Sequence, residues 1–268
     1  MAVVNFEPQH FAEGRFRYAY KGHYTAPPHK AGKPCVVKKM KESYTWKHTD
    51  WSETLQILET SKQLAVGFNK YSETKYPVKF VDVEVSPVTQ IRDKTAYKLQ
   101  EYLTVEDYIP GDYMKWCNNY GFIDTRDVLM PAFAHWSWAH TKGEKMIADL
   151  QGVRNDTGYI PPYVLPSGSY ILTDPCLLSN TYGGKYGSTD TGIEGIAMFF
   201  LNHTCTDFCI NLRKPSLANI PKHMLDKALG IKSSIGTSTA YSHEITFPKD
   251  IRNTLITLFK RIANTATV

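Results

Sequence analysis

The stretch covering residues 192–212 constrains the fold most, because it joins an apolar helical pattern to three potential metal ligands. Its apolar residues recur at helical spacing and predict one buried helix over the whole stretch. These residues are Ile193, Ile196, Phe199 and Phe200. On such a helix Cys205 and Cys209 would lie on consecutive turns, with His203 beside them.

Two thiolates and an imidazole supply three of the four ligands of a closed tetrahedral zinc site. The fourth ligand would have to come from another part of the chain. Alternatively, the cysteines are small buried hydrophobic residues, and His203 only caps or packs against the helix. The spacing H-x-C-x3-C is not a common zinc-finger pattern and leaves both interpretations open.

The composition favours a globular protein in a reducing compartment. The chain has 268 residues, enough for one large or two-lobed domain, and its five cysteines are odd in number and irregularly spaced. No apolar run of about 18 residues or more predicts a membrane span, and the N-terminus does not resemble a signal peptide. We therefore expect a cytoplasmic location. The sequence does not predict an oligomeric state.

The first 40 residues have a β-rich pattern that contains two candidate ligand-binding residues. Gly14 precedes an aromatic and basic strand that carries Arg17, which could reach a phosphate. Lys38 ends an apolar strand and resembles the lysine that pairs with nucleotide phosphates in kinases. A surface hairpin and a solvated lysine are the alternative interpretations.

A helix is predicted to follow Asp50, which precedes Glu53 by three residues in a capping pattern, and to reach about Asn69. The pattern breaks at Pro110 and Gly111, so we place the boundary between two lobes near residue 106. The N-lobe then covers residues 1–105 and the C-lobe 106–268. A small ligand is expected in the cleft between them.

The second lobe contains two candidate carboxylates. A short strand before Asp149 presents Asp149 and Gln151, two residues apart, on the same side. Such a pair suits an acid/base next to a metal ligand, and Asp174 follows another strand. Both carboxylates could instead be strand-end caps. A helix over residues 126–139 contains His135, and an amphipathic helix is predicted over residues 247–264.

Short motifs in this order resemble the alpha-kinases, the atypical protein kinases that include myosin heavy chain kinase, the elongation-factor kinase and the kinase tails of certain channels. The N-terminal motifs are F-x-x-G-x-x-R from Phe11, V-x-K from Val36 and V-E-x-x-I-x-G-x-Y from Val105. The C-terminal motifs are F-x-H from Phe133, D-L-Q-G-V from Asp149, L-T-D-P from Leu172, a glycine-rich loop from Gly187, and F-F-L-N-H-x-C-x3-C from Phe199. They span about residues 11–212.

The resemblance implies an α+β, two-lobed fold related to ordinary protein kinases, with an ATP cleft between the lobes and structural zinc in the C-terminal lobe. It implies an ATP-dependent serine/threonine protein kinase that prefers threonine. Arg17 and Lys38 would contact ATP phosphates. Glu106 would bind the adenine amino group, and the Ile109 backbone would contact the ring.

The resemblance also assigns the remaining residues. Asp149 would be the catalytic acid/base, and Gln151 and Asp174 would hold magnesium. Zinc would be bound by His135, His203, Cys205 and Cys209. A glycine-rich loop would contact peptide substrate through Gly187, Gly192 and Gly195.

The chain departs from the family pattern in two places. The spacing between D-L-Q-G and T-D-P is longer than in the family, so residues 154–170 are interpreted as an insertion. Asp190 stands where the glycine-rich loop often has asparagine.

Each assigned residue also has an ordinary structural interpretation: Lys38 as a surface lysine, Glu106 as a solvated turn residue and His135 as a core histidine. Two rival functions also stay open, a catalytically inactive zinc-stabilised scaffold and a nucleic-acid-binding zinc module. The net charge of +5 suits the second rival, but the basic residues are spread along the chain without a block. No nucleic-acid partner and no membrane partner is expected.

Overall fold

The computed structural model describes residues 2–41, 45–89, 98–156 and 168–215, together with Asn253 and Thr257. The predicted helix over residues 247–264 lies outside this part of the chain, apart from those two residues. Most of the predicted insertion, residues 157–167, also lies outside it. The described residues form the α+β fold expected from the sequence.

Five antiparallel strands make the first sheet. They are β1 (Val3–Glu13), β2 (Arg17–Ala26), β3 (Pro34–Met40), β5 (Val83–Pro87) and β6 (Tyr102–Asp107), in the spatial order β1-β2-β3-β6-β5. Alternate residues of these strands bury a small core that includes Tyr20, Val37, Leu103 and Val105. The outer strand β1 is largely exposed. Side chains alternate along a strand, so one face of β3 packs into this core and the other face points towards the second sheet, described next.

The second sheet has four strands and a neighbouring two-stranded ladder. The strands are β4 (Val78–Phe80), β7 (Tyr113–Lys115), β9 (Gln151–Asn155) and β10 (Ser169–Thr173), in the order β4-β10-β9-β7. The ladder pairs β8 (Lys145–Ala148) with β11 (Cys176–Ser179). Strand β4 pairs in parallel with β10, although it precedes the predicted lobe boundary by about 25 residues. The first 105 residues therefore contribute to both sheets.

Three helices complete the described fold: α1 (Ser52–Ser72), α2 (Leu129–His140) and α3 (Gly192–Asn202). They pack with the second sheet in the largest hydrophobic core, where Phe68 of α1 stacks on Phe133 of α2 with ring centroids 4.8 Å apart. None of the helices in the described part of the chain is long and apolar enough to cross a membrane.

The helix predicted after Asp50 is present, but the predicted capping is wrong. Asp50 belongs to a 3-10 turn (His48–Trp51), and its carboxylate accepts the backbone N–H of Lys47 at 3.0 Å. Trp51 then precedes the first helical residue without a side-chain cap. The α-helix continues three residues beyond Asn69, to Ser72.

The prediction of one helix over residues 192–212 is also wrong, because α3 ends at Asn202. The Asn202 amide donates to the carbonyl groups of Met198 and Gly121, and His203 adopts an extended backbone with φ −80° and ψ 123°. Thr206 is extended too, and a 3-10 turn (Asp207–Cys209) follows. The β-branched threonines in this segment favour extended backbone over helix. Cys205 and Cys209 therefore do not lie on consecutive helical turns.

Candidate active site and metal-ligand cluster

A cleft of about 720 Å³ lies between the first sheet, α1 and the strand ends of the second half of the molecule. Its volume is typical of small-molecule sites. All seven residues that were predicted to serve nucleotide, magnesium or phosphate transfer line it: Arg17, Lys38, Glu106, Ile109, Asp149, Gln151 and Asp174. The fold therefore brings together segments that are up to 157 residues apart in the chain.

Lys38 points from β3 into the cleft and is only 6% exposed, so it is not a solvated surface lysine. Its Nζ lies 2.7 Å from Glu106 Oε1 and 2.5 Å from Asp174 Oδ2, and it donates to the Thr173 hydroxyl at 3.0 Å. Burial acts to lower the pKa of Lys38, but the two carboxylates outweigh burial and raise it. The ammonium group therefore stays charged.

The adjacent Lys39 points to the opposite face of β3. Its Nζ lies 2.8 Å from Glu101 Oε1, and both side chains are almost fully buried. Glu101 also accepts the backbone N–H of Lys98 at 3.0 Å. This ion pair lies within the first sheet and its connections, away from the cleft. Two neighbouring lysines thus have separate partners because side chains alternate along a strand.

Arg17 of β2 crosses the cleft to the same carboxylate as Lys38. Its Nη1 donates to Asp174 Oδ1 at 3.0 Å, and its Nη2 donates to the Thr54 hydroxyl at 2.9 Å. The guanidinium also lies 5.5 Å from the centroid of the Trp51 ring, in cation–π range. Three contacts therefore hold a second cation beside Lys38.

Asp174 receives one cation on each carboxylate oxygen. Burial acts to raise the pKa of Asp174, but Lys38 and Arg17 outweigh it and hold the pKa below its usual value. The residue directly follows β10 and has a left-handed backbone with φ 48°. An ionised carboxylate with hard oxygen atoms is a ligand that suits magnesium.

Asp149 directly follows β8 and shares the left-handed backbone, with φ 52°. Residues held in this region cost about 1–3 kcal/mol each and cluster at functional sites. Lys115 Nζ lies 2.7 Å from Asp149 Oδ1. Burial nevertheless raises the pKa of Asp149, and Lys115 counters it only in part. The cleft therefore holds two carboxylates whose pKa values are shifted in opposite directions, which is typical of acid/base sites.

Gln151 opens strand β9, and its side-chain amide donates to the backbone carbonyl of Asp174 at 3.3 Å. The next residue, Gly152, has φ +149°. A Cβ atom there would lie 2.1 Å from the carbonyl oxygen of Ile171, so only glycine allows the two strands to approach this closely. The D-L-Q-G motif therefore places Gln151 beside Asp174 through close backbone packing.

Glu106 is buried in β6 and is not a solvated turn residue. Besides its ion pair with Lys38, it accepts the Thr173 hydroxyl on both carboxylate oxygens, at 2.9 and 3.0 Å. Burial raises the pKa of Glu106 despite the nearby ammonium group. Ile109, a few residues on, belongs to an apolar cluster against which Val83 packs, and Ile109 and Val83 line the cleft as an apolar wall that suits a flat ring.

The glycine-rich loop borders the cleft, where Ser188 and Thr189 contribute to the lining. Gly187 has φ +82°, and a Cβ there would lie 1.9 Å from a carboxylate oxygen of Glu53 on α1. Gly192 has φ +63° and starts α3. A Cβ at Gly195 would clash with the Thr191 hydroxyl and the Asn119 carbonyl.

Asp190 organises this loop through its carboxylate. Oδ1 accepts the backbone N–H groups of Ser179 and Gly192, both at 2.8 Å, and Oδ2 accepts that of Tyr186 at 3.1 Å. Asp190 is buried, and an acceptor-only side chain is what three converging donors require. An asparagine would present its NH₂ group to one of these donors. The departure from the family pattern therefore has a local physical reason.

A second group of polar residues, the His/Cys cluster, consists of His135, His203, Cys205 and Cys209. One ligand atom from each residue lies within 4.8 Å of every other. His135 Nδ1 is 3.2 Å from His203 Nε2 and 3.8 Å from Cys205 Sγ, and His203 Nε2 is 3.5 Å from Cys209 Sγ. A tetrahedral zinc ion places two nitrogen ligands about 3.3 Å apart, and nitrogen and sulfur about 3.6 Å apart.

The protonation of the cluster also suits a metal. His135 Nε2 donates to the Arg213 carbonyl at 2.7 Å, which leaves Nδ1 free to bind a metal. Burial lowers the pKa of His135, and burial together with His135 lowers that of His203 to about 4, so both imidazoles are neutral. Burial raises the pKa of Cys209, so its thiolate form needs a cation beside it.

Two residues of the site, Lys115 and Thr173, were not predicted. Lys115 lies on the short strand β7, which offers no pattern that distinguishes a cleft lysine from a surface one. Thr173 directly precedes Asp174 in the L-T-D-P motif, and its hydroxyl could have been noticed as a polar group ending an apolar strand. The contacts of Asp190 with backbone groups cannot be deduced from sequence.

Comparisons with known proteins agree with this geometry. A family model, described as the alpha-kinase family, matches residues 12–209. Alpha-protein kinase vwkA of Dictyostelium discoideum is 27% identical over 213 residues, which cover 78% of the chain and 31% of vwkA. The chain thus spans about a third or less of the length of the curated relatives it matches.

Solved structures show the same fold. An alpha-kinase from Entamoeba histolytica is similar with a TM-score of 0.62 and 26% identity, covering 79% of each chain. The alpha-kinase domain of myosin heavy chain kinase A, in complex with AMP, is similar with a TM-score of 0.64 and 19% identity, covering 80% of the chain and 92% of that domain. At 19% identity the second likeness concerns the fold alone.

Proposed function

Because the chain belongs to the alpha-kinase family, we propose that it is an ATP-dependent protein kinase that phosphorylates serine or threonine, with a preference for threonine. One observation carries this proposal: in one cleft, the cations Lys38 and Arg17 both pair with Asp174, and a second carboxylate, Asp149, has a pKa shifted in the opposite direction. Phosphoryl transfer needs cations on the phosphates, a metal and a base that aligns the acceptor hydroxyl.

Asp149 is the proposed acid/base. It is half-buried and lines the cleft beside Lys115, and burial raises its pKa above that of an ordinary aspartate. Such a carboxylate accepts the proton of the substrate hydroxyl more readily than one with a low pKa. Lys115 holds the carboxylate in place and supports its ionised form.

Asp174 and Gln151 are the proposed magnesium ligands, and both supply hard oxygen atoms. When bound, magnesium neutralises phosphate charge. Lys38 and Arg17 are the proposed phosphate contacts, and both already reach the Asp174 carboxylate. Asp174 therefore lies where metal and phosphates would meet. Glu106 and the Ile109 backbone would hold the adenine against the apolar wall of the cleft.

The His/Cys cluster is proposed to hold a structural zinc ion. Four protein ligands fill a tetrahedral site and leave no position for a reactive water. The ion would join α2, through His135, to the segment that follows α3. The glycine-rich loop, with Gly187, Gly192 and Gly195, is proposed to contact the peptide substrate. A cytoplasmic location is proposed as well, and it agrees with five free thiols.

The rival functions have less support. An inactive scaffold would not require two aspartates in strained left-handed backbone at one cleft. A nucleic-acid-binding module would need the cations of its binding surface free for phosphates, whereas the cations in the cleft, Arg17, Lys38 and Lys115, and the neighbouring Lys39 are paired with carboxylates.

The test is phosphate transfer from γ-labelled ATP to a generic basic protein in the presence of magnesium. We expect transfer by the wild type and none above background by Asp149→Ala. Phosphoamino-acid analysis of the product should yield mainly phosphothreonine. Absence of transfer by a folded, zinc-loaded wild type that also fails to bind ATP would exclude the proposal. Binding of ATP without transfer would favour the inactive scaffold.

A further inference from the structure

The hydroxyl of Thr173 lies between two opposite charges. It accepts the Lys38 ammonium at 3.0 Å and donates to the Glu106 carboxylate, at 2.9 Å from Oε1 and 3.0 Å from Oε2. Thr173 is only 3% exposed. It ends β10, in the half of the molecule opposite to Lys38 and Glu106, which belong to the first sheet. One hydroxyl therefore connects the two halves at the centre of the cleft.

The chemistry of the three groups fixes the direction of these bonds. An ammonium group only donates, and an ionised carboxylate only accepts. The single proton of the Thr173 hydroxyl must therefore go to Glu106, and its lone pair must face Lys38. An apolar side chain of the same shape could satisfy neither partner.

The ammonium group of Lys38 has three N–H bonds and three acceptors. Glu106 and Thr173 take two of them, and Asp174 Oδ2 takes the third at 2.5 Å. With two N–H bonds held, the direction of the third is determined. It points to the side of the cleft where Asp174 also receives Arg17.

We propose that Thr173 is a positioning residue for phosphoryl transfer, whose hydroxyl orients the Lys38 ammonium towards the transferred phosphate. This inference rests on the proposed function, in which Lys38 contacts ATP phosphates. Thr173 lines the cleft, and its proposed effect is exerted through its hydrogen bonds to Lys38 and Glu106. Small displacements of a positioned group can reduce rates by about a hundredfold.

Three substitutions separate the hydroxyl from the methyl group of Thr173. Thr173→Ser keeps the hydroxyl and loses the methyl group, Thr173→Val keeps the shape and loses the hydroxyl, and Thr173→Ala loses both. If the hydroxyl positions Lys38, the serine variant should keep a kcat within about threefold of wild type. The valine and alanine variants should then lose about tenfold to a hundredfold in kcat. If Thr173 only fills space in β10, the valine variant should be active, and the serine and alanine variants should be equally impaired.

The Ser/Ala pair differs by the hydroxyl alone, so it decides the question even if the valine variant does not fold. Thermal unfolding shows whether each variant is folded, and calorimetry with a non-hydrolysable ATP analogue gives nucleotide affinity separately from kcat. We expect kcat to fall more than nucleotide affinity. An active wild type with equally active serine and alanine variants overturns the inference. A wild type that neither binds nor transfers phosphate rejects the proposed function instead.

Discussion

The cleft and the His/Cys cluster both gather polar side chains inside the protein, but they differ in charge. In the cleft, Lys38 and Arg17 meet Asp174 as full charges. In the cluster, burial lowers the pKa of His135 and His203, so neutral imidazoles face two thiols.

This difference predicts whether a substitution in each region affects activity or folding first. Charged groups that bridge a cleft can exchange one partner for a bound phosphate or metal, so their loss should affect activity first. Ligands of a closed metal site have no function apart from holding two segments together, so their loss should affect folding first. The following predictions test this division, beginning with the largest effect.

The largest effect is expected at the His/Cys cluster. Cys209→Ser removes one proposed zinc ligand, and structural zinc contributes on the order of 10 kcal/mol to folding. That exceeds the net stability of many domains. The variant should be insoluble or lack a cooperative unfolding transition. Cys117→Ala is the control, because Cys117 is equally buried but belongs to the core and not to the cluster. It should cost only about 1–2 kcal/mol.

Metal analysis gives the matching measurement on the wild type. We expect one zinc per chain and a fall in Tm after a strong chelator is added. A well-folded, metal-free wild type whose Tm does not respond to chelator would show that the cluster is a packed core element, and the division between the two regions would break down.

The next effect belongs to the carboxylates of the cleft. Asp149→Asn keeps the shape but removes the proposed base, which typically contributes about 10²–10⁴-fold to the rate. ATP affinity and Tm should change little. Asp174→Asn instead weakens a proposed magnesium ligand, so its activity should recover in part at high magnesium or with manganese. A metal titration of both variants checks this. If metal rescues Asp149→Asn and not Asp174→Asn, the two roles are reversed.

The sequence predicted the members of both regions more accurately than their geometry. The resemblance to the alpha-kinase motifs named the seven residues that line the cleft and the four residues of the His/Cys cluster. The end of α3 was not predicted, since the bond of Asn202 to Gly121 is a contact between segments that are far apart in the chain. The parallel pairing of β4 with β10 was not predicted for the same reason.

The ion-pair partners of the lysines on β3 could not be predicted from the sequence either. Nothing local in the sequence distinguishes Lys38, which faces two carboxylates and Thr173, from Lys39, which faces Glu101. The left-handed backbone of Asp149 and Asp174 follows from the strands around them and not from residue type alone. Sequence therefore predicts which residues meet, while pairing and backbone strain require the three-dimensional structure.

The two lysines provide the third prediction. Breaking either buried ion pair alone should cost about 3–5 kcal/mol, because a buried carboxylate loses its partner. The double variants Lys38→Met/Glu106→Gln and Lys39→Met/Glu101→Gln remove both charges and should recover most of that stability. Only the first should lose activity, by about a hundredfold or more. Equal activity of the two double variants would place the phosphate contact elsewhere and remove the functional distinction between the two faces of β3.

The smallest effect is expected at Lys115 and appears only as a change with pH. The proposed base, Asp149, must be ionised, so kcat should fall as the pH drops through its raised pKa, at a higher pH than for an ordinary aspartate. The positive charge of Lys115 favours the ionised form, so Lys115→Met should raise that pKa further and move the acid limb of the profile to higher pH. Lys115→Arg should leave the limb in place. Above the limb, where Asp149 is ionised in all variants, the rates should converge. A uniform loss at every pH would instead assign Lys115 to substrate contact, and the cleft would then contain a third cation for the phosphates.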